Sequence, residues 1–109
     1  MTILEKHKEL CDRIHDTCVK KNHDYGNSAS ELYEKFGLIS YVVRMNDKMN
    51  RINSLLNKDV EVKDEKIEDT LLDLANYCLL AVSDMELHRN LENEAVKTKK
   101  MQLTKKKMG

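Results

Sequence analysis

The 109-residue sequence contains no proline and no tryptophan, only 3 glycines, and aromatic residues at 5%. Proline and glycine interrupt helices, whereas aromatic side chains are enriched in strands. Their scarcity excludes a sheet fold rich in tight turns. We therefore predict an all-α protein.

Long apolar runs are also missing. No run of about 18 apolar residues, the length that spans a bilayer, occurs, and the N-terminus, charged from Glu5 onward, lacks the apolar segment of a signal peptide. The 3 cysteines, Cys11, Cys18 and Cys78, have no paired spacing, which suits a reducing compartment. We predict a cytoplasmic protein without membrane contact, whose cysteines are core thiols.

The net charge of zero conceals a separation along the chain. Residues 1–96 hold all 19 acidic residues and 13 of the 19 basic ones, so they carry −6, and the segment from Lys97 onward carries +6. A basic tail can contact nucleic acid, but a solvated, frayed end explains it better. We predict one helical domain over residues 1–92 and a basic tail over residues 93–109.

Apolar spacing predicts a bundle of three main helices. Thr2 and Glu5 form a capping-box pattern, from which the first helix should run to about Lys21. The second should span roughly 38–57 and the third roughly 65–90. A short helical turn is expected in SELYEKF, with Ser28 or Ser30 as its cap and Gly37 at its end.

Each long helix has an apolar stripe that we expect to form the core. The stripes consist of Ile3, Leu10, Cys11, Ile14 and Cys18; of Leu38, Val42, Met45, Met49, Ile52 and Leu56; and of Ile67, Leu71, Leu74, Cys78 and Met85. The third helix also carries Leu72 and Leu80 on its opposite side. A helix that is apolar on both sides needs a second covering surface, so we predict a homo-oligomer, a dimer or larger.

Acidic residues follow a helical spacing within the third helix. Glu65, Asp69 and Asp73 are four residues apart, so their carboxylates share one side of the helix. Oxygen ligands on one side suit Mg²⁺, whose other positions are taken by water and phosphate. The alternative is a solvated acidic face at a helix N-terminus.

Basic residues have a similar spacing on the second helix. Arg44, Lys48 and Arg51 can neutralise phosphate oxygens. The alternative is a ladder of surface ion pairs through Asp47.

Two further metal patterns are weaker. The His23-Asp24 doublet, with an earlier histidine and a later aspartate, spells the ligand order of HD-type phosphohydrolases, but two-letter motifs recur by chance. Cys11, His15 and Cys18 can hold zinc, although both cysteines lie on the predicted core stripe. A core role therefore explains these cysteines better.

Three ordered motifs, KNHDYGNS, RMNDKMNR and DEKIEDTLLDLANY, resemble the nucleotide modification associated domain 1 family, small helical proteins found largely in phages. The resemblance covers residues 20–88. That family is similar to the all-α MazG-like nucleoside triphosphate pyrophosphohydrolases, Mg²⁺ enzymes that are commonly oligomeric. The resemblance implies a substrate-binding role for Asp24, Tyr25, Arg44, Asp47, Lys48, Arg51 and Asn76, and catalytic metal binding by Glu65, Asp69 and Asp73.

The chain departs from the MazG pattern of two acidic pairs, because the second helix offers only Asp47, and Thr70 stands three residues before Asp73. We expect a Mg²⁺-dependent nucleotide-binding protein, a pyrophosphohydrolase in which a metal-oriented water attacks phosphorus. The alternative is a non-catalytic binder, a nucleotide sponge or an accessory subunit of a phage nucleotide-modification or counter-defence system. A third is an interaction bundle without a small ligand. Whether the protein is an enzyme is left open.

Overall fold

The computed structural model describes residues 1–25, 27–57 and 63–108, with side chains for all of these except residues 25, 63–65 and 106–108. This part of the chain is all-α and contains no strand, as the composition predicts. The described ranges form four helices rather than three: α1 (Ile3–Tyr25), α2 (Ser28–Phe36), α3 (Ile39–Leu56) and α4 (Lys63–Met108). No helix within these ranges is both long and apolar enough to cross a membrane.

The N-terminus of α1 forms the predicted capping box. The Thr2 hydroxyl accepts the Glu5 N–H at 3.2 Å, and the Glu5 carboxylate accepts the Thr2 N–H at 3.4 Å. The prediction that this helix ends near Lys21 is wrong, because α1 continues to Tyr25. Part of the KNHDYGNS motif, which was expected in a loop, therefore lies in the last turn of α1, where its side chains follow helical spacing.

The segment expected to form one helical turn is the nine-residue helix α2. Neither Ser28 nor Ser30 caps it; Asn27 takes the N-cap position, without a side-chain cap bond. Gly37 ends α2, as predicted, with a φ of 74° and its N–H donated to the Tyr33 carbonyl at 2.7 Å. Because a side chain disfavours this left-handed backbone, glycine is the residue that suits the turn.

The helices α3 and α4 run antiparallel, since Tyr41 pairs with Asp84 and Lys48 with Asp73. The third long helix was predicted to end near residue 90, but α4 continues to Met108. Its 46 residues correspond to about 69 Å at a rise of about 1.5 Å per residue, which accounts for most of the molecule's longest dimension of 74 Å. The division of the chain at residue 92 stays a prediction.

The buried faces of α3 and α4 differ from the predicted stripes. The most buried residues of the described chain are Tyr41, Ile52, Leu55, Thr70, Ala81 and Asp84. On a helical wheel of about 100° per residue, these faces are rotated by about 70° from the apolar stripes. The predicted stripes do not include Tyr41, Thr70 or Asp84, whose polar atoms are hydrogen-bonded in the fold and can be buried.

Part of each predicted stripe is consequently exposed. Leu38, Val42, Met49 and Leu56 of α3 are between 42% and 59% exposed. On α4, Leu71 and Cys78 of the predicted stripe are exposed as well, and so is Val82, which was not part of that stripe. Because the two helices are antiparallel and rotated in the same sense, these residues lie on one side of the α3–α4 pair. We name this set of seven residues the open stripe.

The opposite side of α4 is covered by α1 of the same chain. Leu72 lines one cleft with Ile14, and Leu80 lines another with Cys18. α1 of the same chain therefore lies on the side of α4 where a second protomer was expected, and the homo-oligomer stays a prediction. The predicted core role of Cys11 and Cys78 is also wrong, since both are exposed, whereas Cys18 is partly buried. Ile3, at 84% exposure, also lies outside the core.

Candidate functional site

Two clefts adjoin on the side of α4 that faces α1. The central cleft has a volume of about 490 Å³. Its lining comes from α1, the start of α2, α3 and α4: Cys18, Lys21, Asn22, Asn27, Ser28, Ala29, Ser30, Arg44, Asp73, Asn76, Tyr77 and Leu80. This volume falls within the range typical of small-molecule sites.

The side cleft, of about 430 Å³, lies between α1 and the N-terminal half of α4. It is lined by Arg13, Ile14, Thr17, Lys21, Glu68, Asp69, Leu72, Asp73 and Asn76. Lys21, Asp73 and Asn76 line both clefts. An elongated ligand can therefore contact these three side chains from either cleft.

Asp73 lies between two lysines at the junction of the clefts. The Lys21 ammonium lies 3.5 Å from Oδ1, and the Lys48 ammonium lies 3.5 Å from Oδ2. The three residues come from α1, α3 and α4. The Asp73 side chain is 39% exposed and that of Lys48 only 25%, so water screens these charges incompletely. With two cations and one anion, the cluster carries a net charge of +1.

Arg44 adds a further positive charge to the wall of the central cleft. Its guanidinium carbon lies 5.8 Å from the centre of the Tyr77 ring. Both residues line the cleft and both are partly buried. At this distance the ring attracts the guanidinium, and the planar group keeps donors that suit phosphate or carboxylate oxygens.

A buried polar cluster holds α2 against α3 and α4. The Asp84 carboxylate, 6% exposed, accepts hydrogen bonds from the Tyr41 hydroxyl and from the Ser30 hydroxyl, the latter at 3.0 and 3.1 Å. The Tyr33 ring packs against Tyr41 and His88. Because Ser30 also lines the central cleft, this cluster positions that wall.

Burial, followed by the hydrogen bond to the Asp84 carboxylate, raises the pKa of the Tyr41 hydroxyl well above its ordinary value. Tyr41 therefore stays protonated and acts as a hydrogen-bond donor across the physiological pH range. It is 1% exposed and does not line either cleft. We assign it a structural role.

The structure brings together about half of the residues predicted for the site. Arg44, Asp73 and Asn76 line the central cleft, Asp69 lines the side cleft, and Lys48 pairs with Asp73. Asp47 and Arg51 are exposed on α3 and line neither cleft. Asp24 is exposed beside His23, whose Nδ1 lies 3.4 Å from the carboxylate. The side chains of Tyr25 and Glu65 lie outside the described residues.

Sequence reasoning missed several residues of the clefts. Lys21 and Asn22 open the KNHDYGNS motif, and Asn27 and Ser28 close it. Lys21 and Asn22 lie in the last part of α1, whereas Asn27 and Ser28 lie at the N-terminus of α2, and the sequence pattern did not predict that both ends of the motif line one cleft. Tyr77, which directly follows Asn76 at the end of the motif DEKIEDTLLDLANY, was not assigned a role.

Of the expected magnesium ligands, Asp69 and Asp73 have side chains among the residues that the structure describes, and both line the side cleft. Within those ranges no group of three His, Cys, Asp or Glu side chains is placed to hold a metal ion. Asp69 and Asp73 supply two carboxylates, one of which faces two lysines. Asp73 thus has two cationic neighbours, and the side chain of Glu65, the third expected ligand, lies outside the described residues, so the Mg²⁺ site stays a prediction. Within the described ranges, no such group of side chains is present for the zinc pattern or the HD-type pattern either.

The fold and the clefts define the class: an all-α bundle with a positively charged cleft between its helices. The sequence profile of nucleotide modification associated domain 1 matches residues 21–85. The chain belongs to this family. No curated protein matches the chain, and no solved structure matches it. The matched range includes the junction of the clefts and α2, but not Arg13 or Cys18.

Proposed function

We propose that this protein binds a nucleotide in the central cleft, with the phosphates at Lys21 and Arg44 of its lining and at Lys48, which pairs with the lining residue Asp73. The observation that carries the proposal is the convergence of basic and amide side chains from three helices on a cleft of about 490 Å³. The family's description links it to nucleotide modification. Ammonium and guanidinium groups make charge-assisted hydrogen bonds to phosphate oxygens.

The rest of the cleft has the chemistry that a nucleoside needs. Asn22, Asn27 and Asn76 each carry an amide that both donates and accepts hydrogen bonds, as the edge of a base and the hydroxyls of a sugar require. Tyr77 and Leu80 supply apolar surface in the same cleft. A few polar groups on an apolar wall are typical of small-molecule sites.

The finer proposal is a nucleoside triphosphate pyrophosphohydrolase similar to the MazG-like enzymes, working with Mg²⁺ in the cytoplasm. Its metal ligands are Glu65, Asp69 and Asp73 by resemblance. The alternative is a non-catalytic binder, a sponge or an accessory subunit of a phage nucleotide-modification or counter-defence system. The two lysines on Asp73 favour this binder, since they engage a carboxylate that the metal needs.

Calorimetry with a panel of nucleoside triphosphates, with and without Mg²⁺, tests nucleotide binding. Arg44→Ala should weaken binding about tenfold, because losing one charged hydrogen bond costs about 1.4 kcal/mol or more. Arg51→Ala removes the same charge from the same helix outside the clefts and is the matched control. Equal losses in the two variants, or a wild type that binds no nucleotide, would contradict the proposal.

A hydrolysis assay on the same samples separates the enzyme from the binder. Release of pyrophosphate that needs Mg²⁺ and is lost in Asp69→Asn supports the pyrophosphohydrolase. Tight binding of intact nucleotides without turnover supports the binder. Asp69 is exposed on the side cleft, so its replacement should leave the fold intact.

We also propose that a second copy of the chain covers the open stripe. A contiguous exposed apolar patch commonly marks a protein–protein contact, and a two-fold axis would place the stripe against itself. Val42→Glu should shift the protein to monomers, because it places a charge in the contact. Val19→Glu, at a position 53% exposed on α1, is the control. Light scattering that finds a wild-type monomer would remove this proposal.

A further inference from the structure

Asp73 was expected to bind a metal, but its surroundings are those of a counter-ion. Each carboxylate oxygen has its own ammonium group at 3.5 Å, Lys21 on one side and Lys48 on the other. The carboxylate is the only described acidic group in an ion pair with either lysine. Two ammonium groups held on different helices repel each other, and an anion between them removes that cost.

We infer that Lys21 and Lys48 form an anion subsite for a phosphate or diphosphate group, and that Asp73 is its internal counter-ion rather than a magnesium ligand. The inference rests on the proposed nucleotide function, which it deepens by assigning the phosphates to this junction. Lys21, Asp73 and Asn76 line both clefts. The subsite therefore lies at the junction of the two clefts.

Binding at this subsite is an exchange of anions. The incoming phosphate oxygens take over the two ammonium groups through charge-assisted hydrogen bonds, and the Asp73 carboxylate turns toward solvent, to which it is already 39% exposed. A singly charged anion should bind weakly, because it only replaces the single negative charge of the Asp73 carboxylate. A diphosphate brings more charge and more oxygens, so the subsite prefers multiply charged anions.

The two roles of Asp73 predict opposite effects of one substitution. If Asp73 holds Mg²⁺, Asp73→Asn should weaken binding of a phosphate ligand. If Asp73 is the counter-ion, Asp73→Asn changes the charge of the cluster from +1 to +2 and removes a competing anion. One like charge about 5 Å away corresponds to roughly threefold to tenfold in affinity at a partly screened site.

The experiment is calorimetric titration of inorganic pyrophosphate in the presence of a chelator, with the full chain. Asp73→Asn should bind pyrophosphate roughly threefold to tenfold more tightly than wild type. Lys48→Met, which keeps a similar side-chain length, should bind it at least about tenfold more weakly. Glu92→Gln is the charge-matched control: it is exposed and lies about 28 Å further along α4, from 19 residues at about 1.5 Å each.

Unchanged or weaker pyrophosphate binding by Asp73→Asn would overturn the inference, as would an equal gain in Glu92→Gln or no binding by any of these proteins. Should Asp73→Asn fail to fold, normal binding by Lys48→Met would overturn it alone. Parallel titration with a nucleoside triphosphate separates the two proposals. If the pyrophosphate titrations give the expected results and no nucleotide binds, the anion subsite is supported and the nucleotide function is contradicted. If nucleotide binds and Asp73→Asn weakens it, the function stands and the subsite falls.

Discussion

Replacing Tyr41 by phenylalanine tests the polar cluster that joins α2, α3 and α4. The substitution keeps the ring in its buried position, 1% exposed, and removes only the hydroxyl that donates to Asp84. The carboxylate, 6% exposed, then keeps the Ser30 hydroxyl as its described side-chain donor. A hydrogen bond to a charged group contributes about 1.5 to 3 kcal/mol, so we expect a loss of about 2 kcal/mol.

For a chain of this size, 1 kcal/mol corresponds to roughly 4 to 8 °C in melting temperature, so Tyr41→Phe should lower it by about 10 °C. Thermal and urea unfolding at one fixed protein concentration measure the change. Tyr33→Phe is the matched control, because this neighbouring tyrosine makes no side-chain hydrogen bond within the described part of the chain. A loss below about 0.5 kcal/mol in Tyr41→Phe would show that the hydroxyl is not a stabilising donor.

The pH dependence of stability gives a second measurement on the same pair of proteins. The pKa of Tyr41 is raised in the folded state, so its contribution is fully present below the unfolded pKa of about 10 and is lost as the pH rises above it. In that range wild type should lose about 1.4 kcal/mol per pH unit more than Tyr41→Phe. Groups common to both proteins cancel in the difference. Parallel stability curves between about pH 9.5 and 11 would contradict the raised pKa.

Three smaller changes test single features of the fold. Gly37→Ala should cost about 1 kcal/mol in unfolding free energy, because φ is 74° although the space around the added methyl group is open; an unchanged midpoint in urea would refute the strain. Thr2→Ala should cost about 1 kcal/mol by removing the cap of α1, seen as faster amide exchange in the first turn, whereas unchanged exchange would exclude the cap. Ser30→Ala should destabilise the protein by about 1 kcal/mol, less than Tyr41→Phe, and the reverse order would contradict this ranking.

Local features of the sequence predicted local features of the structure. The lack of proline and the few glycines predicted an all-α chain, the Thr2 and Glu5 spacing predicted a capping box, and Gly37 predicted the end of α2. Each of these depends on residues within one or two helical turns. Nearest neighbours along the chain therefore determine them, whatever the remainder of the fold does.

Several of the predicted site residues were also readable from the sequence. Asp69 and Asp73 were placed on one side of a helix by spacing alone, and they line the clefts. Arg44 and Arg51 have equivalent spacing on α3, yet only Arg44 lines a cleft. Spacing cannot separate the two, because it states which side chains share a direction and not what lies in that direction.

The identity of the core faces was decided by tertiary structure. A pattern of apolar residues treats Tyr41 and Asp84 as surface groups, but 43 residues apart in the chain they satisfy each other and become buried. Contacts between distant parts of the chain also place Lys21 and Lys48 beside Asp73. A residue that was expected to bind a metal is therefore paired with two cations. Periodicity carries no information about such pairs, because a hydrogen bond or ion pair between helices depends on how the helices are rotated against each other.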